Sequence, residues 1–187
     1  ALKKFGIEET DRTKLYKFIG PPLTESFEKF YGFTKEQSLD GVKYYREYYH
    51  DKGIYENRVY DGLEEVLKKI NEAGKQAIVA TSKPEKYAKI IIDHFHLTQY
   101  FACVAGMEMD GGRGTKAQVI TYALEKNDIA DKSNVLMIGD REHDVIGAHE
   151  NGLDCLGILY GFGSRKEFEE AGADYIRENV EDILQFV

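Results

Sequence analysis

Val135-Leu136-Met137-Ile138-Gly139-Asp140-Arg141-Glu142-His143-Asp144 joins an apolar run to a glycine, an aspartate and, four residues later, a second aspartate. Val135 to Ile138 has the texture of a short strand covered on both faces. Gly139 is expected to let the chain leave the sheet in an unusual backbone conformation. That puts Asp140 at the carboxyl tip of the strand, the edge where open α/β sheets bind ligands. Asp144, on the first turn of the next helix, is placed to swing back toward Asp140. Two close carboxylates repel unless one is protonated or a cation lies between them. Oxygen ligands of this kind suit Mg²⁺, which takes one or two carboxylates, waters and substrate phosphate. The same residues also read as a helix N-cap, Asp140, followed by a first-turn acid favoured by the helix dipole. Both readings stand at this point.

The surrounding chain narrows the class of protein. Its 187 residues suffice for one good-sized core with a small appended domain. A formal net charge of −8 argues against a nucleic-acid polymer as partner, because binding a phosphate backbone needs clustered Lys and Arg. A small phosphorylated metabolite remains compatible, since a local site can be positive on an acidic protein. Cys103 and Cys155 both lie in apolar, strand-like runs and read as reduced core residues of a cytoplasmic protein. No apolar stretch is long enough to cross a membrane, and no signal-peptide pattern is present. Ala1-Leu2-Lys3-Lys4-Phe5 lacks an initiator methionine and reads like the end of an amphipathic helix already under way.

Composition changes near residue 60. Eight of the 13 tyrosines lie at or before Tyr60, in a region without a convincing strand. That region reads as helices broken by Gly6, Gly20-Pro21-Pro22, Gly32 and Gly53. The longest is expected from Thr34, an N-cap with Gln37 three residues on, to about Lys52, with Leu39, Val42, Tyr45 and Tyr49 on its apolar side. Beyond Tyr60, strand and helix alternate. Asp61 is expected to cap a helix that buries Leu63, Val66, Leu67 and Ile70. Strands are expected at 77–80, 101–105, 135–138, 156–160 and 175–177, and helices at 84–95, 115–126, 144–150 and 166–171. Repeated βα units predict a mostly parallel, Rossmann-like α/β sheet sandwiched by helices. The expected organisation is a small all-helical domain over 1–57 and an α/β domain over 58–187.

Two further constellations carry chemistry. Ile78-Val79-Ala80-Thr81-Ser82-Lys83-Pro84 is again a strand ending in small polar residues, with Pro84 opening a helix. The Thr81 and Ser82 hydroxyls, with the free N–H groups of that helix start, would cradle a phosphate; an ordinary Ser/Thr cap is the alternative. Lys116 starts a helix after the turn Gly111-Gly112-Arg113-Gly114. A cation is disfavoured by the dipole there, so a Lys116 turned into the site would be held by a phosphate and nearby carboxylates. Otherwise it is a solvated surface lysine. Gly157, Gly161 and Gly163-Ser164 lack the spacing of a nucleotide-binding motif and read as a loop beside the site. His94 and His96 face different ways, and His143 and His149 read as surface or helix-packing residues.

Thr81, then Lys116, then Gly139-Asp140 with Asp144 and Gly147-Ala148 follow one another in an order that resembles the haloacid dehalogenase-like hydrolases. The likeness is greatest to phosphoglycolate-phosphatase-like and 5′-nucleotidase-like members with a helical cap. Gly20-Pro21-Pro22-Leu23, Ser26-Phe27, the run Tyr44 to Tyr49 and Ala171-Gly172-Ala173-Asp174-Tyr175 extend it along nearly the whole chain. The resemblance implies a Mg²⁺-dependent phosphatase working through a phospho-aspartyl intermediate, with positioning and charge stabilisation as the main catalytic effects. It implies that Thr81 bonds a phosphoryl oxygen and that Lys116 neutralises the phosphate. Asp140 would bind Mg²⁺, and Asp144 would bind it through water or through another ligand. Gly20, Pro21 and Pro22 would lie where a cap reaches the substrate, with Arg46 near the leaving group.

One motif of the family is not found in this sequence. Its Asp-x-Asp-Gly, at the tip of a strand central in the sheet, supplies the nucleophile and the general acid/base. Such a strand would lie between the one ending at Ala80 and the one ending at Ile138. The resemblance therefore implies roughly 20 to 30 residues before Ala1, one strand plus most of a helix. A phosphomutase or dehalogenase on the same fold is the first alternative, and a non-catalytic phosphate- or partner-binding protein the second.

Overall fold

A computed structural model describes residues 1–109 and 112–187, which form two compact units, Ala1–Asn57 and Arg58–Val187. The first is helical throughout: 3₁₀ turns at Leu2–Phe5, Arg12–Phe18 and Gly53–Tyr55, and the helices α1 (Leu23–Tyr31) and α2 (Lys35–Tyr49). Thr34 and Gln37 close a reciprocal capping box at the start of α2, as their spacing predicts. The unit is held by aromatic rings. Phe27 and Phe33 stack at 5.3 Å and 5°, Phe5 meets Phe33 at 4.6 Å, and Phe18 meets Phe27 at 5.3 Å. Of the expected apolar side of α2, Tyr49 is buried and Val42 and Tyr45 are half-buried, whereas Leu39 is 57 % exposed. The other buried positions of α2 are Ser38 and Gly41. A Cβ at Gly41 would come within 3.0 Å of the Phe27 ring, so at that position α2 needs the smallest residue rather than a large one.

The second unit is parallel α/β. In chain order it contains α3 (Leu63–Glu72), β1 (Ala77–Pro84), α4 (Glu85–His94), β2 (Phe101–Met107), α5 (Lys116–Lys126) and β3 (Leu136–Gly139). Then come α6 (Glu142–Glu150), β4 (Asp154–Ile158), α7 (Arg165–Ala171), β5 (Tyr175–Arg177) and a 3₁₀ segment, Val180–Phe186. The α3 cap differs from expectation. Gly62, with φ of 80°, holds the N-cap position and no side chain caps the helix, so Asp61 lies outside it. Pro84 likewise is the N-cap of α4 rather than its first helical residue.

The strands form two sheets, not one: β1 pairs with β2, and β3-β4-β5 form a separate three-stranded sheet, all parallel. Alternate residues of the larger sheet face two helical layers. Leu136, Ile138, Leu156 and Ile158 pack with Val66 of α3 and with Val180 and Ile183. Met137 and Cys155 pack with Ile120, Val145 and Phe168 of α5, α6 and α7. Helix α5 belongs to both sheets, because its Val119 and Ala123 pack against Cys103 and Ala105 of β2. β3, whose apolar run reads as a strand covered on both faces, is half-buried through Ile138, as β1 is along its length, whereas Cys155 and Leu156 of β4 are fully buried. Among the described residues, each of β1 and β3 carries a strand partner on one side only.

Candidate active site

The carboxyl ends of β1 and β3 bring three of the expected site residues together. Lys116, the first residue of α5, extends its ammonium to the carboxyl end of β1, where Nζ donates to the Ala80 carbonyl at 3.0 Å. The same nitrogen lies 2.6 Å from Asp144 Oδ1, with both side chains nearly buried. Asp144 turns its other oxygen to the backbone, accepting from Asp140 N at 2.9 Å and from Arg141 N at 3.1 Å. The cation that meets Asp144 is thus a lysine ammonium of the chain itself, and both oxygens of Asp144 are engaged.

Asp140 is disposed otherwise. Its Oδ2 accepts from the backbone N–H of Phe162 at 3.0 Å, so it does not cap α6, whose N-cap position is Arg141. The N-cap reading of Asp140 therefore fails, while Asp144 does bond the helix start. Oδ1 of Asp140 has no donor among the described residues. Burial, reinforced by the charge of Asp144, pushes its carboxyl above the usual range, against the Phe162 hydrogen bond and the charges of Arg141 and Lys116. A half-buried carboxylate with one free oxygen is a good partner for a divalent cation that keeps waters and phosphate in its shell. No cluster of three or more His, Cys, Asp or Glu side chains exists among the described residues, so an all-protein metal cage is not built here.

Glycines explain how these groups approach so closely. Gly139 does not leave the sheet in an unusual conformation: its φ is not positive, and it pairs with Gly157 in the ladder. What it supplies is space, because a Cβ there would fall 2.2 Å from Asp144 Cβ. Gly161 does the same for Asp140, whose Cβ would be 2.3 Å from an added methyl, and Gly163 clears the Asp140 carbonyl at 2.4 Å. The glycine-rich turn after β4, which reads in the sequence as a loop beside the site, therefore packs on it directly. Tyr60 and Tyr160, missed in the sequence, meet edge to face at 5.0 Å. Burial first, and then Tyr60 and the charge of Asp140, push the Tyr160 phenol up to about 12, so it stays protonated at neutral pH.

Thr81 ends the regular pairing of β1, opposite Gly106. Its Oγ1 accepts from Lys83 N at 3.1 Å, and α4 has no side-chain cap. The Ser/Thr-cap reading of Thr81 and Ser82 is thus not what forms; the pairing of Pro84 with Met107 engages the start of α4 in the sheet, and the hydroxyl proton of Thr81 remains to be donated. Gly111 lies outside the described residues, and Arg113 is held by partners on either side. It donates to the Gly106 carbonyl at 3.1 Å, pairs with Glu108 at 2.6 Å and Glu85 at 3.2 Å, and lies 3.9 Å over the Tyr122 ring. Gly20, Pro21, Pro22 and Arg46 belong to the helical unit, in the loop before α1 and on α2.

A parallel α/β unit with a lysine and two carboxylates at its strand ends is the arrangement of the haloacid dehalogenase-like hydrolases, and residues 1–158 match that family. The chain belongs to it. A 5′-nucleotidase of Pseudomonas aeruginosa is 43% identical over 167 residues, covering 89% of this chain and 75% of that protein. The tyrosine-protein kinase PtkA of Mycobacterium tuberculosis is 32% identical over 164 residues, and there the chain spans 55% of the relative. A crystal structure described as a predicted phosphatase from Clostridium acetobutylicum superposes with a TM-score of 0.95 at 44% identity, covering 98% of this chain and 85% of that one.

Proposed function

We propose that this chain is the cap and most of the core of a Mg²⁺-dependent phosphatase acting on a small phosphomonoester, such as phosphoglycolate or a nucleoside 5′-monophosphate. The observation that carries the reading is the Lys116 ammonium, held between the Ala80 carbonyl and Asp144 beside a carboxylate, Asp140, with one oxygen free. A buried cation fixed at the ends of two parallel strands meets a phosphoryl dianion without reorganising, which is where electrostatic catalysis gains most. Thr81 donates a hydrogen bond from its hydroxyl to a phosphoryl oxygen, with Ser82 beside it. Asp140 would hold Mg²⁺, with Asp144, already bonded through both oxygens, standing beside it. Mg²⁺ supplies charge neutralisation of the phosphate and the carboxylates around it.

The attacking carboxylate belongs on a strand between β1 and β3, from chain preceding Ala1. Support comes from the two half-buried strands, each paired on one side, and from relatives longer than these 187 residues. In that position the aspartate forms a bond to phosphorus as the substrate oxygen leaves, and water then cleaves the acyl phosphate. The helical unit, with Gly20, Pro21, Pro22 and Arg46, is the cap that selects the leaving group, and the reaction is placed in the cytoplasm.

Hydrolysis of p-nitrophenyl phosphate with Mg²⁺ tests this on residues 1–187 and on the full reading frame of the gene. Activity is expected in the longer protein, abolished by EDTA and lowered about 10²- to 10³-fold by Lys116→Met, the scale of losing one charge-stabilising donor. Absence of hydrolysis from both forms, across phosphoglycolate and nucleoside monophosphates, would overturn the proposal and leave a phosphate-binding protein.

A further inference from the structure

We infer that Asn151 is a positioning residue for Lys116. It holds the first turn of α5 against α6, so that the ammonium of Lys116 meets Asp144; its meaning for catalysis rests on the phosphatase reading above.

Asp144, Gly147 and Asn151 are spaced by three and four residues and so share one side of α6 and its C-terminal cap. Each touches the beginning of α5. Asp144 takes the Lys116 ammonium at 2.6 Å. Gly147 receives the stem of the same lysine: a Cβ there would fall 2.7 Å from Lys116 Cγ and 3.0 Å from Ala117 N. Asn151, a buried polar side chain, donates through Nδ2 to the carbonyls of Gly147 at 2.9 Å and Ala117 at 3.1 Å. Its Oδ1 accepts from the Thr121 hydroxyl at 2.8 Å, and its own carbonyl accepts from Lys132 Nζ at 2.9 Å.

Capping α6 accounts for the bond to Gly147, one of the orphan carbonyls of a helix end. It does not account for the bonds to Ala117 and Thr121, which belong to another helix. Ala117 is the residue next to Lys116, so the amide ties down the first turn of α5 one peptide unit beyond the residue that carries the ammonium. The tie is needed because α5 packs on both sheets at once, Ile120 and Leu124 with one cluster and Val119 and Ala123 with the other. Apolar packing of that kind is tolerant of small slides along the helix axis, whereas hydrogen bonds with fixed direction are not. A shift of about an ångström at a reacting group costs on the order of 10²-fold in rate.

Two measurements test the inference, the first without need of activity. Thermal shifts are measured for Lys116→Met, Asp144→Asn and their combination, with Asn151 intact and with Asn151→Ala. The combined loss is expected to be smaller than the summed single losses when Asn151 is present, and to equal that sum when it is absent. Equal non-additivity in both backgrounds would overturn the inference. The second measurement uses the full reading frame and p-nitrophenyl phosphate. Asn151→Ala is expected to lower kcat about 10- to 100-fold, yet to cause no further drop in a Lys116→Met background. Asn127→Ala, which removes a comparable bond to the Ala123 carbonyl at the far end of α5, should lower stability while leaving kcat unchanged. If Asn151→Ala behaves like Asn127→Ala, Asn151 is only a helix cap. Thr121→Val, which removes the Oδ1 partner together with the hydroxyl's own bond to the Ala117 carbonyl, repeats both measurements should Asn151→Ala fail to fold. If no form hydrolyses a phosphomonoester, the phosphatase reading falls while the stability cycle still decides the role of Asn151.

Discussion

The two aspartates of Gly139-Asp140 to Asp144 do different work, although sequence gives them equal standing. Asp144 is saturated, by Lys116 on one oxygen and two backbone N–H groups on the other. Asp140 keeps one oxygen without a donor among the described residues and carries the cost of burial on its charge. A carboxyl raised above its usual range in the folded state loses stability as pH rises through that range, because ionisation is easier in the unfolded chain. Asp140→Asn, which preserves an acceptor for Phe162, is therefore expected to raise the Tm at pH 7 and to change it little at pH 3. Mg²⁺ should raise the Tm of the native protein and not that of the variant. A Tm lowered at pH 7 would show that the Asp140 charge is better solvated than its burial indicates. Which aspartate has the free oxygen was not legible in the sequence, since it depends on Phe162, 22 residues away.

At the scale of elements, the glycines around the site are contact surfaces between strand, helix and turn. Gly139 lets β3 touch α6 at Asp144, Gly147 lets α6 touch α5 at Lys116, and Gly161 lets the turn after β4 close on Asp140. Gly139→Ala is expected to destabilise by about 3 kcal/mol, the upper end of overpacking costs. A methyl 2.2 Å from Asp144 Cβ can be accommodated only by moving the helix. The measurement is a lower denaturant midpoint at unchanged m-value; a midpoint within error of the native one would contradict the close approach. The helix start at Thr34 was legible in sequence, because a capping box is a local pattern of four residues; the same box at Thr115 was not read there. The start of α3 was not, because Gly62 replaces side-chain capping by a left-handed backbone conformation and leaves Asp61 outside.

For the whole molecule, acid tolerance offers a test that does not involve the site. Asp174, in the approach to β5, accepts from Cys155 N at 2.8 Å and pairs with His149 of α6 at 3.0 Å. Burial opposes its ionisation, but these partners outweigh it and hold the carboxyl below its usual range. Its contribution is then fully present above the unfolded-state pKa of about 3.9 and is lost as pH falls through the lower folded value. Between pH 6 and pH 3, the Tm of the native protein should fall further than that of Asp174→Asn. Identical losses would remove Asp174 from the acid response. Sequence alone determined the alternation of strand and helix beyond Tyr60, the helical texture before it, and the order Thr81, Lys116, Asp140, Asp144. Periodicity, capping and motif order are local properties, readable within a few residues. Tertiary structure alone decided that the strands form two sheets bridged by α5, that Lys116 serves Ala80 and Asp144 together, and that Gly139 supplies room rather than a bend. The reason is physical: each of these turns on atoms far apart in the chain meeting within about 3 Å, the range of hydrogen bonds and steric contact.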